Sequence, residues 1–332
     1  MVPSRKSLET ERNLQWLVWI LPALAIYLVF MAWPLFNSLR LSFYTGSGFK
    51  LDNFIGFDNY ARLFGGGTDS TRFYGAFGHT FIFFAIHMIV QNTLGLTFAL
   101  ILSRKVLKGR AFFRTVIFIP ATLAIVVTGF LWKLLLNPQW GPLNLFLTQV
   151  GLGDWALPWL GETKLALLMV SLVSSWQWVG IPTMIFLAGL QSISDDYFEA
   201  AAIDGASPWQ VFWRIKFPLL RPIMGVVAIL TFTGNFNAFD AVFAMEGPNG
   251  PPDYSTDILG TYFYRTGIAG QHPVGIPDMG LGAAVSTVTF VVLLAGVLLM
   301  QALSRRLRCF MKMCTHKLNQ TKSVVMQDSV SL

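Results

Sequence analysis

Six stretches without a charged residue run along the chain, at 13–39, 73–103, 115–132, 165–194, 222–239 and 279–304. Each comes close to the ~20 apolar residues that carry a helix across a bilayer, and the segments between them are polar or rich in Gly and Pro. The pattern predicts an all-α integral membrane protein with six transmembrane helices. The first stretch follows basic residues, but it is too long for a signal peptide. No small-residue cleavage site follows Trp33-Pro34-Leu35-Phe36, so it reads as a retained helix. The chain then divides into residues 1–12, a first span at 13–39, an outer segment at 40–74, a transmembrane core at 75–305 and a tail at 306–332.

One polar interval, 191–222, separates the fourth and fifth stretches and carries its own helix punctuation. Asp196 and Glu199 have the spacing of an N-cap with its reciprocal partner, Ala200 to Ala202 favour helix, and Gly205 suits the left-handed position past a helix end. Ser207 is placed as a second N-cap, with Pro208 at the first helical position and Gln210 completing a capping box. That second helix should run through Ile215 and stop before Pro218. Two short helices joined by a glycine turn, neither long enough to span, should lie on the membrane face as a docking element.

Composition agrees with this division. With 54% hydrophobic and 12% charged residues and a mean hydropathy of +0.56, the chain lacks the polar side chains to cover a soluble domain. Of 24 Lys and Arg, three precede the first span, five fall in 104–114, three in 195–221 and six after 304, so 17 lie on one side. The positive-inside rule makes that side cytoplasmic, with both termini and the 195–221 loop. The net charge of +7 is then topogenic, and no nucleic-acid partner is implied. Cys309 and Cys314 fall in the cytoplasmic tail, where they read as free thiols, because one neighbouring His316 leaves a zinc site a ligand short. The tail from about Asn319 reads as disordered.

On the outer side, Gly65-Gly66-Gly67 reads as a mobile connection and 137–164 as a short interfacial element. Residues 246–280 form a further Gly- and Pro-rich outer segment, and no repeat of 20–50 residues is visible. There is no phosphate-binding G-x-x-x-x-G-K-[ST] loop, no H-E-x-x-H and no G-x-S-x-G, so the chain reads as no enzyme, with neither cofactor nor metal. His79 and His87 read as interhelical hydrogen-bonding groups rather than metal ligands. Polar groups cluster within two spans. Thr233, Asn237 and Asp240 share one helical spacing with Asn235 at its flank, and Ser171, Ser174 and Trp178 share another with Gln177 beside them. Amides and hydroxyls beside an indole suit a sugar, whose hydroxyls need hydrogen bonds and whose C–H face needs an apolar wall. Gln177, Trp178, Asn235, Asn237 and Asp240 are therefore candidate substrate-binding residues. The same groups could instead glue helices together, and both readings stand at this level.

The run Glu199-Ala200-Ala201, three residues, Gly205, nine residues, Ile215-Lys216-Phe217-Pro218 resembles the EAA signature of ABC importer permeases, with Phe217 where leucine is usual. Ile117-Phe118-Ile119-Pro120, Leu190-Gln191-Ser192-Ile193, Asn235-Phe236-Asn237-Ala238-Phe239-Asp240 and Thr261-Tyr262-Phe263-Tyr264-Arg265 resemble the carbohydrate branch, the maltose-type (MalF-like) permeases. After the fifth span the chain departs from that branch, with Met245-Glu246-Gly247-Pro248 in place of T-x-G-G-P. The resemblance implies the type I importer fold and a bacterial inner-membrane location. It implies as partners a second permease subunit, a dimer of cytoplasmic ABC ATPases and a periplasmic or extracellular sugar-binding protein. Glu199, Ala200, Ala201, Asp204, Gly205, Ile215 and Pro218 would then couple ATP hydrolysis to the spans. A polyol or glycerol phosphate is the alternative cargo. An ion-coupled secondary carrier is the rival mechanism, and apart from Asp240 the chain shows neither the intramembrane carboxylates nor the internal repeats it would need.

Overall fold

The computed structural model describes residues 18–46, 53–104, 106–270 and 275–330, with the backbone alone for 305–330. The readings for residues 1–12 and for Cys309, Cys314 and their surroundings therefore fall outside the described side chains. Among the described residues there is no strand, only an isolated bridge between Tyr44 and Phe54. Four helices are long and apolar enough to cross a membrane: α1 (Val18–Leu41), then Thr68–Leu102, Pro208–Phe236 and Met279–Ser304. Two bent helix pairs, Arg110–Thr122 with Ile125–Leu135 and Ala166–Trp178 with Gly180–Gln191, make six crossings if each pair is one span.

The described residues fall into two compact units. In the first, residues 1–70 with 263–288, α2 (Asp58–Phe64) follows α1, and Gly65–Gly67 form a short turn into α3 (Thr68–Leu102) where the sequence suggested a mobile connection. Buried Asn59 fixes the turn before α2 by donating from Nδ2 to the carbonyls of Ser42 at 2.9 Å and Tyr44 at 3.0 Å. Arg62 reaches Asp69 at 2.9 Å and Asp278 at 2.7 Å, tying residues far apart in sequence.

The second unit, residues 71–262 with 289–332, holds most of the helices. After α3 come α4 (Arg110–Thr122), α5 (Ile125–Leu135), α6 (Pro142–Gln149), α7 (Ala166–Trp178), α8 (Gly180–Gln191), α9 (Asp196–Ile203), α10 (Pro208–Phe236) and α11 (Asp240–Glu246). Two apolar clusters hold them. Leu102, Leu187, Leu190 and Leu220 join the ends of α3, α8 and α10 nearest the polar loop, while Phe83, Val170, Val242 and Ile258 gather at the other. Lipid is as apolar as these side chains, so the packing rests on close contact rather than on escape from water. Gly129 shows the consequence, since a Cβ there would lie 2.6 Å from that of Ala244 and would push α5 off α11. Helix α12 (Leu259–Tyr264) straddles the boundary of the two units, and α13 (Met279–Val330) closes the chain.

Four expectations change. The third stretch is not one straight helix, because Leu123 and Ala124 adopt extended backbone and turn α5 by 95° from α4. The fourth bends by 46° between α7 and α8, where Pro182 has no N–H for the carbonyl four residues back. The helix meant to stop before Pro218 continues to Phe236, because a wider π turn at Phe212–Lys216 precedes Pro218 and makes room for its ring. Lastly, Asp196 does not cap α9: it is the helix's first residue, its carboxylate accepts the Ser194 hydroxyl at 2.9 Å, its own N–H bonds to that hydroxyl oxygen at 3.3 Å, and the N–H groups of Tyr197 and Phe198 bond to carbonyls three residues back.

Candidate functional site

A cavity of about 410 Å³ opens among α3, α7, α8, α10 and the start of α11, within the range of small-molecule sites. Its floor comes from a π turn in α3, His87–Gln91, which turns both His87 and Gln91 inward. Wider turns of this kind recur at functional sites because they re-aim side chains. Helix α7 contributes Ser174 and Trp178, and α10 contributes Thr231 and Asn235. Then α10 ends at Phe236, and the non-helical link through Asn237 and Phe239 leads to Asp240 at the head of α11. Thr233, Asn237 and Asp240 therefore do not share one helical face as their spacing suggested. The break itself brings Asn237 and Asp240 to the same cavity as Asn235.

Backbone carbonyls orient the polar side chains of this site. His87 Nδ1 is 2.8 Å from the Phe83 carbonyl, which can only accept, so that nitrogen carries the proton. In the neutral ring Nε2 then accepts from the Ser174 hydroxyl at 3.0 Å. Asn235 and Asn237 each donate one amide N–H, to the carbonyls of Thr231 (2.6 Å) and Thr233 (2.9 Å). The Thr231 hydroxyl donates to Val227 at 2.9 Å and accepts from Asn92 at 3.1 Å.

The polar loop forms a second site. Helix α9 ends in a left-handed Gly205 with φ of +69°, and the Ala206 N–H bonds to Ala201 while the Gly205 N–H bonds to Ala202, a Schellman stop. Ser207 and Gln210 then form the expected capping box, at 2.8 and 3.3 Å, and open α10. Glu199, Ala200, Asp204 and Gly205 are exposed, while Ala201 is buried at the packing side of α9 and Ile215 and Pro218 are half-buried. Lys216 Nζ lies 5.3 Å from the centre of the Phe198 ring and holds α9 against α10.

A long helix that begins as a capped docking element and ends at a polar cavity joins an exposed loop to an internal site in one rigid body. Residues 91–308 match the family model of the binding-protein-dependent transport system inner membrane component. The chain belongs to this family. The permease is 33% identical over 280 residues to a probable ABC transporter permease, YurN of Bacillus subtilis, covering 84% of this chain and 91% of that one. It is 32% identical to the trehalose/maltose transport system permease protein MalF of Thermococcus litoralis, covering 83% and 88%. It is 32% identical to the lactose transport system permease protein LacF of Rhizobium radiobacter, covering 79% and 86%. Its fold matches a chain of a crystallised bacterial ABC transporter that imports alginate, with a TM-score of 0.77 at 24% identity over 91% of the permease and 99% of that chain.

Of the residues singled out by sequence, the permease brings Trp178, Asn235, Asn237 and Asp240 to the cavity. Gln177 is not with them: it is 1% exposed and donates to the Leu123 carbonyl at 3.1 Å. Ser171 also stays out, bonded to its own helix at Leu167. Sequence reasoning missed His87, Gln91 and Thr231 as lining groups, although two polar residues four apart in an apolar span were a usable signal. In the polar loop, Tyr197 and Ile203 stand 56% and 87% exposed beside Glu199 and Gly205.

Proposed function

We propose that the permease is the transmembrane subunit through which an ATP-driven importer passes a mono- or oligosaccharide. The observation that carries this is the cavity: Trp178 beside the amides of Asn235 and Asn237, the Ser174 hydroxyl and the Asp240 carboxylate. An indole offers a face to sugar C–H groups, and the oxygens receive its hydroxyls. The lactose and trehalose/maltose names of two relatives support the same cargo class.

In this reading the permease pairs with a second permease subunit and rests on a dimer of cytoplasmic ABC ATPases. A solute-binding protein delivers the sugar, as in the alginate transporter crystallised with a sugar-bound periplasmic protein. Glu199, Asp204 and the turn at Gly205 meet the ATPase, with Tyr197 and Ile203 as apolar contacts. Closure of the ATPase dimer is carried along α10 to the cavity. Both termini and the loop between α8 and α10 face the cytoplasm, in line with the distribution of Lys and Arg.

Uptake kinetics test the cargo site. Each lost contact is worth about 1 kcal/mol, near a fivefold change in affinity, so Trp178→Ala and Asn235→Ala should raise the half-saturation while assembly and basal ATPase activity persist. Unaltered half-saturation and rate in both variants would leave these residues as helix glue.

A further inference from the structure

The cavity has a direction of hydrogen bonding as well as a shape. Backbone carbonyls cannot donate, so the contacts of Asn235 and Asn237 to Thr231 and Thr233 settle which end of each amide is spent. One N–H of each amide is used, and the two Oδ1 atoms keep their acceptor capacity. The same logic fixes His87: its Nδ1–H goes to Phe83, its Nε2 takes the Ser174 proton, and Ser174 is left with oxygen lone pairs. Thr231 spends its hydroxyl proton on Val227. Gln91, the Trp178 indole and the second N–H of Asn235 and of Asn237 remain as neutral donors. Among the described residues no Lys or Arg lines the cavity, and the one carboxylate there is that of Asp240.

We propose that this cavity selects cargo by charge, admitting uncharged and amino-bearing sugars and turning away sugar acids and sugar phosphates, with Asp240 as the residue that sets the selection. The inference rests on the carbohydrate reading above and narrows it. A sugar hydroxyl carries its own proton and satisfies an acceptor wall. A carboxylate or phosphate brings only acceptors, so it would trade its hydration for a few neutral N–H groups with no cation to offset the loss, and it would face Asp240 as a like charge. An ammonium group brings three donors and the opposite charge. The glycerol phosphate alternative fails on the same ground.

The test uses the assembled importer, purified in lipid nanodiscs without its binding protein so that upstream selection is removed. Glucose, glucosamine and glucuronate serve as matched probes, and binding is read by saturation-transfer NMR with titration. The wild type should bind glucose and glucosamine, with glucuronate weaker by roughly tenfold or more. Asp240→Asn should narrow the gap between glucosamine and glucuronate, and Asp240→Lys should reverse it. Either variant removes the Asp240 contact from all three probes, so the readout is the ratio of glucosamine to glucuronate affinity, while Trp178→Ala should weaken all three probes together and leave that ratio unchanged. Glucuronate bound as well as glucose by the wild type, or a probe order indifferent to Asp240→Lys, overturns charge selection and leaves the carbohydrate site standing. Silence from all three sugars overturns the carbohydrate site and charge selection with it.

Discussion

Gln177 Nε2 lies 3.1 Å from the carbonyl oxygen of Leu123, so a side chain of α7 closes the gap in hydrogen bonding where α5 breaks from α4 by 95°. No water reaches the hydrocarbon interior to do this in its place. Gln177→Ala would strip the carbonyl of its partner, at a cost of about 1–3 kcal/mol. The purified complex should unfold at a lower temperature, while the half-saturation for solute stays that of the wild type. A raised half-saturation with an unchanged melting midpoint would return Gln177 to the cargo site.

The contrast between Gln177 and Trp178 marks what could be read from the chain. Charge-free stretches fix the number and order of apolar helices, because the bilayer sets a minimum length that composition reveals directly. The capping chemistry of Ser207 with Gln210 and the stop at Gly205 are local, so the residues concerned specify them almost alone. The break at Leu123 is held across helices by Gln177 and the one at Asn237 by bonds back to Thr233 and Asn235, and no periodicity signals either. That is why Asn237 and Asp240 reached the cavity by a route their spacing did not suggest. It is also why neighbouring Gln177 and Trp178, about 100° apart around one helix, have different partners.

Gly205 has nothing within 4 Å of the place a Cβ would occupy, so the demand for glycine comes from its φ of +69° rather than from crowding. Gly205→Val should strain the turn by about 1 kcal/mol or more and turn α9 away from α10, lowering solute uptake and its coupling to ATP hydrolysis while membrane insertion persists. Asn tolerates the left-handed region, so Gly205→Asn should restore most of the uptake. Equal loss in the two variants would point to steric contact with the ATPase instead of backbone conformation.

Orientation is checked with single cysteines. Ala206→Cys, whose backbone N–H bond to Ala201 survives the change, should react with a membrane-impermeant maleimide in inside-out vesicles and stay unlabelled in intact spheroplasts. Gln139→Cys, an exposed position between α5 and α6, should show the reverse. Labelling of residue 206 from outside would invert the assignment drawn from 17 of 24 basic residues on one side.

Glu246, half-buried at the last turn of α11, has no hydrogen-bond partner for its Oε1 among the described residues. Burial pushes Glu246 up to about 7, and Lys133 only partly offsets the shift. Because the folded state holds this proton more tightly than the unfolded chain, the contribution is fully present below the ordinary carboxylate range. It is lost as pH rises toward about 7 and constant above that. Thermal melts of the purified complex from pH 5 to pH 8 should therefore fall with rising pH. Glu246→Gln keeps the shape and cannot ionise, so its melts should be flatter across the window and higher than the wild type at pH 8. Parallel curves for the two proteins would mean that Glu246 is solvated in the assembled importer and that other groups set its pH response.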